Sequence, residues 1–257
     1  MDSMFDLTGH VGLVTGGNGG LGLGMAEGLA RAGAAVCVWG TNEAKNAAAL
    51  ERLSHHGTPV SVMRVDVSDE EQVLAAMSDL IGRHGRLDTC IASAAVTIGP
   101  RKPSFVDTTL QEWQTFMRVD LDGTYLTLRE AARQMITQGA GGSLVGLSSI
   151  AAQLGAPRDQ AYAASKGGIA AMMRGLAVEL GRYNIRCNTL VPGWTRSPAQ
   201  ASWEADEAVA TAVMKRLPLR RWGEPEDWAG IAVFLASASS SFLTGEEIRL
   251  DGGFVLT

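Results

Sequence analysis

His10-Val11-Gly12-Leu13-Val14-Thr15 runs directly into Gly16-Gly17-Asn18-Gly19-Gly20-Leu21-Gly22, and a helix-forming stretch follows as far as Ala32. The first six residues form an apolar run of strand length, and Gly33 supplies a helix stop. The glycines therefore stand at a strand-to-helix junction. The spacing Gly16-x-x-x-Gly20-x-Gly22 permits a tight turn, close approach of backbone to a pyrophosphate, and tight packing of helix on sheet. The start of the helix adds unpaired N–H groups and the positive end of a dipole. A glycine-rich turn alone is common. At the first junction of an alternating chain, it predicts a dinucleotide site.

The alternation continues along the chain. Ala34 to Trp39 reads as a second strand, with Asn42 capping a helix through His56. Val60 to Val65 is a third strand ending in Asp66-Val67, and Ser68 with Glu71 has the pattern of a capping box. Leu87 to Ser93 is a fourth strand. Thr109 to Gln138 reads as one long helix, with apolar positions at Trp113, Phe116, Met117, Leu121, Tyr125 and Leu128. Ser143 to Leu147, a helix from Gln160 to Arg182, and Ile185 to Val191 make a further strand–helix–strand unit, closed by Pro192-Gly193. Ser197 to Gly223, with Trp203 and Trp222, reads as a helical flap. Glu224 to Ala236 is a helix and Glu246 to Leu250 a last strand before Asp251-Gly252-Gly253. Strands alternating with helices imply right-handed crossovers. The expected fold class is α/β: a doubly wound (Rossmann) parallel seven-stranded sheet with helices on both faces, in one domain spanning 1–257. Any ligand should lie at the carboxyl ends of the strands.

The totals narrow the function classes. In 257 residues, 46% hydrophobic and 19% charged describe a globular chain, and a formal charge of −5 gives no reason to expect nucleic acid or an anionic membrane as partner. No apolar run reaches the ~18 residues needed to cross a bilayer. The N-terminus MDSMFDLTGH has no basic or apolar leader, so a cytoplasmic location is expected. Cys37, Cys90 and Cys187 lie in separate apolar strand-like runs and read as buried free thiols. His10, His55, His56 and His84 are scattered, and no metal site is expected.

One polar constellation carries chemistry. Tyr162 and Lys166 are one helical turn apart and emerge on the same face. Tyrosine titrates near 10, and an adjacent cation favours the phenolate, bringing the phenol closer to working pH as a proton donor or acceptor needs. Ser149 follows the strand-like Ser143–Ser148 and stands where that strand ends.

Thr15–Gly22 (TGGNGGLG), Asp66-Val67, Ser149, Tyr162-x-x-x-Lys166, Pro192-Gly193 and Asp251-Gly252-Gly253, in this order and over essentially the whole length, resemble the classical single-domain short-chain dehydrogenases/reductases. The resemblance implies an oxidoreductase that interconverts a secondary alcohol and a ketone. Tyr162 would then be the proton donor or acceptor. Ser149 would orient the substrate oxygen, and Lys166 would hold the nicotinamide ribose and lower the phenol pKa. Gly16, Asn18, Gly20, Leu21 and Gly22 would cradle the phosphates, with Asp66 and Val67 at the adenine. Ala92, Ser93 and Ala94 would lie along the ribose, and Pro192, Gly193, Thr195 and Ser197 at the nicotinamide. A cofactor-binding module without turnover, and a lyase or epimerase on the same fold, are the alternatives.

Three departures stand out. Ala92-Ser93-Ala94-Ala95 replaces the family's Asn-Asn-Ala-Gly. Asp120, in Val119-Asp120-Leu121-Asp122-Gly123, replaces an Asn that in the family holds a helix kink and a proton-relay water; the expectation is a relay with altered pH dependence. Trp39-Gly40-Thr41-Asn42 lacks both the acid of NAD-specific members and the Arg of NADP-specific ones. Thr41 and Asn42 can donate to a 2′-phosphate and Lys45 can assist, so the cofactor is NADP(H) or NAD(H), with the lean to NADP(H). The flap and the loop Val96 to Phe105, with Trp194, Trp203, Met214, Ile98 and Pro100, suggest an apolar or cyclic substrate. Arg101 and Arg196 are read as surface residues, not as carboxylate clamps. By resemblance, the helices of Trp113 and Met172 pack on a second copy, giving a homodimer or homotetramer.

Overall fold

The computed structural model describes residues 4–96, 103–198 and 200–257; Ile98, Pro100 and Arg101 lie outside them. Seven parallel strands form one sheet: β1 (Val11–Thr15), β2 (Ala35–Gly40), β3 (Val60–Arg64), β4 (Thr89–Ala92), β5 (Gly142–Leu147), β6 (Ile185–Pro192) and β7 (Glu247–Leu250). Their order is β3-β2-β1-β4-β5-β6-β7. The chain winds outward from β1 to β3, then returns to place β4 on the other side of β1. That reversal opens a crevice at the carboxyl ends of β1 and β4, where Thr15 stands opposite Trp39 on one side and Ala92 on the other.

Strand side chains alternate between two apolar layers, as a sheet covered on both faces requires. Leu13, Cys37, Cys90, Leu144 and Cys187 face one layer, closed by α3 (Glu70–His84), α5 (Gly123–Gln138) and α6 (Gln160–Leu180). Val14, Val38, Ile91, Val145 and Leu190 face the other, closed by α1 (Gly20–Arg31), α2 (Glu43–Ser54) and α9 (Ala229–Ala236). The three thiols are free and share the first layer. Burial pushes them up, Cys37 to about 11 and Cys187 to about 12, so none is a ready nucleophile.

Two local expectations are corrected. Asp69, not Ser68, caps α3: its carboxylate accepts from the Gln72 N–H, because Ser68 is drawn into a turn whose N–H and hydroxyl both donate to Asp66. The long helix is in pieces. Thr109 and Glu112 form a capping box that starts α4 (Leu110–Phe116), a π-helical turn follows at Met117–Asp122, and α5 resumes at Gly123. The wide turn holds the buried Asp120, and a π-turn in a helix often marks a functional site. The 197–223 flap contains α7 (Ala201–Glu204) and α8 (Glu207–Arg216). Its base is closed by a parallel bridge between Thr195 and Gly223.

Candidate functional site

A cleft of about 810 Å³ opens at the carboxyl ends of the strands. Its floor is the glycine loop. Gly16 has φ +65°, a left-handed conformation that favours glycine, and a Cβ there would meet Ala94 N at 3.0 Å. A Cβ on Gly22 would lie 2.8 Å from the Gly16 carbonyl carbon. These two positions keep loop and strand ends close enough to leave a backbone-lined cradle at the start of α1, the shape and donor set that a pyrophosphate requires. Gly20 and Leu21 line the same end. Asn18 also lines it, but its amide Nδ2 is turned away, donating to Asn46 Oδ1 at 2.7 Å.

Thr41, Asn42, Lys45, Asp66 and Val67 border the next part of the cleft. Asn42 caps α2 as expected, accepting from the Lys45 N–H at 2.9 Å. Ser93 and Ala94 line the middle, whereas Ala92 remains inside β4, buried and paired with Thr15 and Gly146. The altered turn after β4 is anchored by a residue the sequence reading missed. Thr15 Oγ1 accepts from both the Ser93 and Ala94 N–H groups, at 3.0 and 3.1 Å. The signal available was a hydroxyl at the end of an apolar strand, which reads equally as the first residue of a turn.

Ser149, Tyr162 and Lys166 line the same cleft, together with Pro192, Gly193 and Thr195, and Ser197 abuts the glycine loop, its Cβ 3.0 Å from where a Cβ on Gly20 would lie. Ser149 leaves β5 and caps a short 3-10 turn, accepting from the Ala151 N–H at 3.1 Å, and it shares a hydrogen bond with the Tyr162 phenol. The Lys166 ammonium lies 5.5 Å from the centre of the Tyr162 ring, and the Lys166 carbonyl accepts from Ser148. The helical spacing thus places both groups as expected. The phenol itself does not fall toward neutrality. Burial raises its pKa, Lys166 and Ser149 lower it, and Asp120 and Asp159 raise it, leaving it above its ordinary value. Burial is the largest of these influences, and the lysine one turn away does not offset it.

Asp120 is fully buried behind this group and lies outside the cleft wall. Its Oδ1 accepts from the Val96 N–H at 2.8 Å, and its Oδ2 is 3.4 Å from both Lys166 Nζ and Ser165 Oγ. It therefore ties the π-turn to α6 and to the exit from β4.

The rest of the wall is aromatic. Trp194 meets Trp203, Trp222 and Phe254 edge-on, with centroids 5.9, 5.3 and 6.3 Å away. Trp194, Trp203 and Phe254 line the cleft; Met214 packs in the cluster beneath the flap instead. Phe254 and Arg216 were not anticipated. The Asp251 carboxylate accepts from the Gly253 and Val255 N–H groups and turns the chain back, and the Arg216 guanidinium then lies 4.1 Å over the Phe254 ring. Leu154 and Pro157, between β5 and α6, also reach the cleft, and no periodic pattern marked them.

Residues 16–255 match the family model described as enoyl-(acyl carrier protein) reductase. The chain is 34% identical to the 3-oxoacyl-[acyl-carrier-protein] reductase of Chlamydia pneumoniae, over 96% of this chain and 97% of that one. It is 31% identical to the gluconate 5-dehydrogenase of Gluconobacter oxydans, over 99% and 98%. A crystal structure of a gluconate 5-dehydrogenase from Burkholderia cenocepacia, in complex with NADP and tartrate, superposes with a TM-score of 0.92 at 33% identity, covering 99% of this chain and 98% of that one.

Proposed function

The chain belongs to the short-chain dehydrogenase/reductase family, and we propose that it interconverts a secondary alcohol and a ketone with NADP(H) in preference to NAD(H). One observation carries the reading. The Ser149–Tyr162–Lys166 group and the glycine cradle open into the same cleft. The nicotinamide supplies or takes the hydride when bound. Gly16, Gly20, Leu21 and Gly22 would hold its phosphates, Asp66 and Val67 its adenine, and Thr195 and Ser197 the nicotinamide end.

Tyr162 gives its hydroxyl proton to the carbonyl oxygen in reduction and takes it back in oxidation. In reduction the phenol enters protonated, as an ordinary tyrosine is at neutral pH. Ser149 holds the same oxygen, reducing the freedom lost in reaching the reactive geometry. Lys166 favours the phenolate as it forms, and Asp120 holds Lys166 in place. The flap at 197–223 covers an apolar or cyclic substrate against Trp194, Trp203 and Phe254. The relatives' names include both a 3-oxoacyl reductase and sugar-acid dehydrogenases, and what they share is CH–OH chemistry.

Among the described residues no helix is long and apolar enough to cross a membrane. We place the protein in the cytoplasm, acting on a small molecule. A second copy would seat on the groove of about 490 Å³ that Tyr125, Arg129, Met172 and Leu176 line between α5 and α6. The test is turnover: protein, reduced cofactor and a panel of ketones, followed by nicotinamide absorbance. Oxidation of the cofactor by at least one ketone is expected. Cofactor binding without turnover on any ketone or alcohol would overturn the reading in favour of a binding module.

A further inference from the structure

Two of the arginines that border the flap are committed to carboxylates. Arg196 binds Glu204 at 2.6 Å and Glu224 at 2.5 Å, and Arg221 holds Asp227 through both of its Nη atoms. Arg216 is different. It ends α8, lines the cleft, and pairs with no Asp or Glu side chain among the described residues. Its Nε reaches the main-chain oxygen of Thr257 at 3.2 Å, and its Nη2 reaches that oxygen at 2.8 Å and the Phe254 carbonyl at 3.4 Å. A guanidinium carries five N–H groups, so the two on Nη1 are left over. The buried Phe254 ring lies 4.1 Å from the guanidinium and supports it by cation–π contact. Arg216 itself remains exposed, so an incoming ligand can reach it.

A second donor without an acceptor stands alongside. Trp194 meets the same Phe254 edge-on at 6.3 Å, and its indole N–H is closed off from solvent with no hydrogen-bond partner. An unpaired buried donor is costly, and a ligand that brings an acceptor removes the cost. The other charges on the cleft wall are placed differently. Lys45 and Asp66 border the adenine part, and Lys166 faces Asp120. Asp159 stands just before α6, where its charge is felt at the Tyr162 phenol.

We propose that Arg216, seated on Phe254, takes a carboxylate of the substrate, so that the substrate is an oxo acid in reduction and a hydroxy acid in oxidation. A carboxylate presents two coplanar oxygens, the shape that suits the planar fork of an arginine. Its single negative charge matches the one cation of the aromatic wall. Asp159 repels the same group from the phenol, so the acid end turns to the flap while the carbonyl reaches Tyr162. The proposal rests on the alcohol–ketone reading above and deepens it by naming the substrate class.

The test compares each oxo acid with its own methyl ester, which keeps the carbon frame and removes the charge. Levulinate and the cyclohexanone carboxylates, with their esters, are offered to the parent, Arg216→Gln and Arg216→Lys under saturating NADPH, and kcat/KM is read from nicotinamide absorbance. The parent is expected to favour at least one acid over its ester by about tenfold, as a charge-assisted contact gives. In Arg216→Gln that preference is lost, through KM more than kcat, because the contact lies away from the reacting carbon. Arg216→Lys keeps part of it, since the charge remains and the fork does not. An arginine that only ties α8 to Phe254 and Thr257 would lower acid and ester alike, and such an equal loss overturns the proposal. So does a parent that reduces neutral ketones but turns over no acid better than its ester. If neither variant folds by circular dichroism, the parent decides: an acid preference that does not shrink between about 0.05 and about 0.5 M salt overturns the proposal, because salt screens an exposed pair. A parent that binds NADPH and reduces no ketone, charged or neutral, removes the alcohol–ketone reading itself, and this proposal with it.

Discussion

Asp120 and Lys166 face each other at 3.4 Å, carboxylate to ammonium, with both side chains closed off from solvent. The carboxylate is also one of the groups that hold the Tyr162 phenol above its ordinary pKa, after burial and against Lys166 and Ser149. Replacing Asp120 by Asn keeps an acceptor for the Val96 N–H and removes the charge. Alcohol oxidation needs the phenolate, so its rate rises as pH passes the phenol pKa. In Asp120→Asn that rise is expected at lower pH than in the parent. A pH–rate profile identical to the parent's would show that the carboxylate has no electrical role at this site.

Tyr162→Phe removes the proton donor and keeps the ring that packs edge-on against Phe116 at 6.0 Å. Turnover is expected to fall by about 10²–10⁴, the usual contribution of a positioned acid–base group. Dinucleotide affinity is expected to stay within about twofold of the parent, since the substitution keeps the ring and leaves the glycine cradle untouched. Steady-state kinetics paired with calorimetry separates the two. A Phe variant as active as the parent removes Tyr162 from the chemistry.

Thr15→Val probes the anchor of the turn after β4. The substitution is nearly isosteric but leaves the Ser93 and Ala94 N–H groups without their acceptor. Loss of about 0.5–1.5 kcal/mol of stability is expected, the net worth of a hydrogen bond lost at half-buried donors. Dinucleotide affinity should fall with it, because Ser93 and Ala94 line the cleft. Denaturant unfolding gives the first number and calorimetry the second; unchanged stability would mean that water replaces the hydroxyl.

Glu27 is buried on α1 and binds Arg52 at 2.6 Å and Arg31 at 2.8 Å. Burial raises its pKa, but the hydrogen bonds and charges of the two arginines outweigh it, and the net direction is down. A carboxyl whose pKa is depressed on folding contributes stability above its unfolded pKa, and that contribution is lost as pH falls through the folded value. Glu27→Gln is therefore expected to destabilise at neutral pH by about 1–3 kcal/mol. The difference from the parent should shrink as pH drops below the usual carboxylate range. Thermal melts at pH 7 and in acid check this, and a deficit equal at both pH values would assign the effect to packing.

Much of this protein is written in local order. The strand–helix alternation, the glycine loop and the Tyr162–Lys166 spacing are properties of neighbouring residues, so the sheet and both ends of the cleft could be read from period and position. Asn42 as a helix cap was legible for the same reason. The breaks in that reading are long-range. Asp120 is marked by resemblance as a relay position, but its burial depends on Val96 after β4 and on Ser165 and Lys166 of α6, two segments far away in the chain. Asn18 reads as a phosphate-loop residue until Asn46, 28 residues on, takes its amide.

What the sequence by itself determined is which segments are strands, which are helices, and that a phenol and an amine would share one helical face, because those follow from spacing along one element. Only the tertiary structure decided that Asp120 is buried against that amine and that Asn46 takes the Asn18 amide. Desolvation, opposed charges and steric exclusion are sums over groups brought together from distant parts of the chain, and no local pattern carries such a sum.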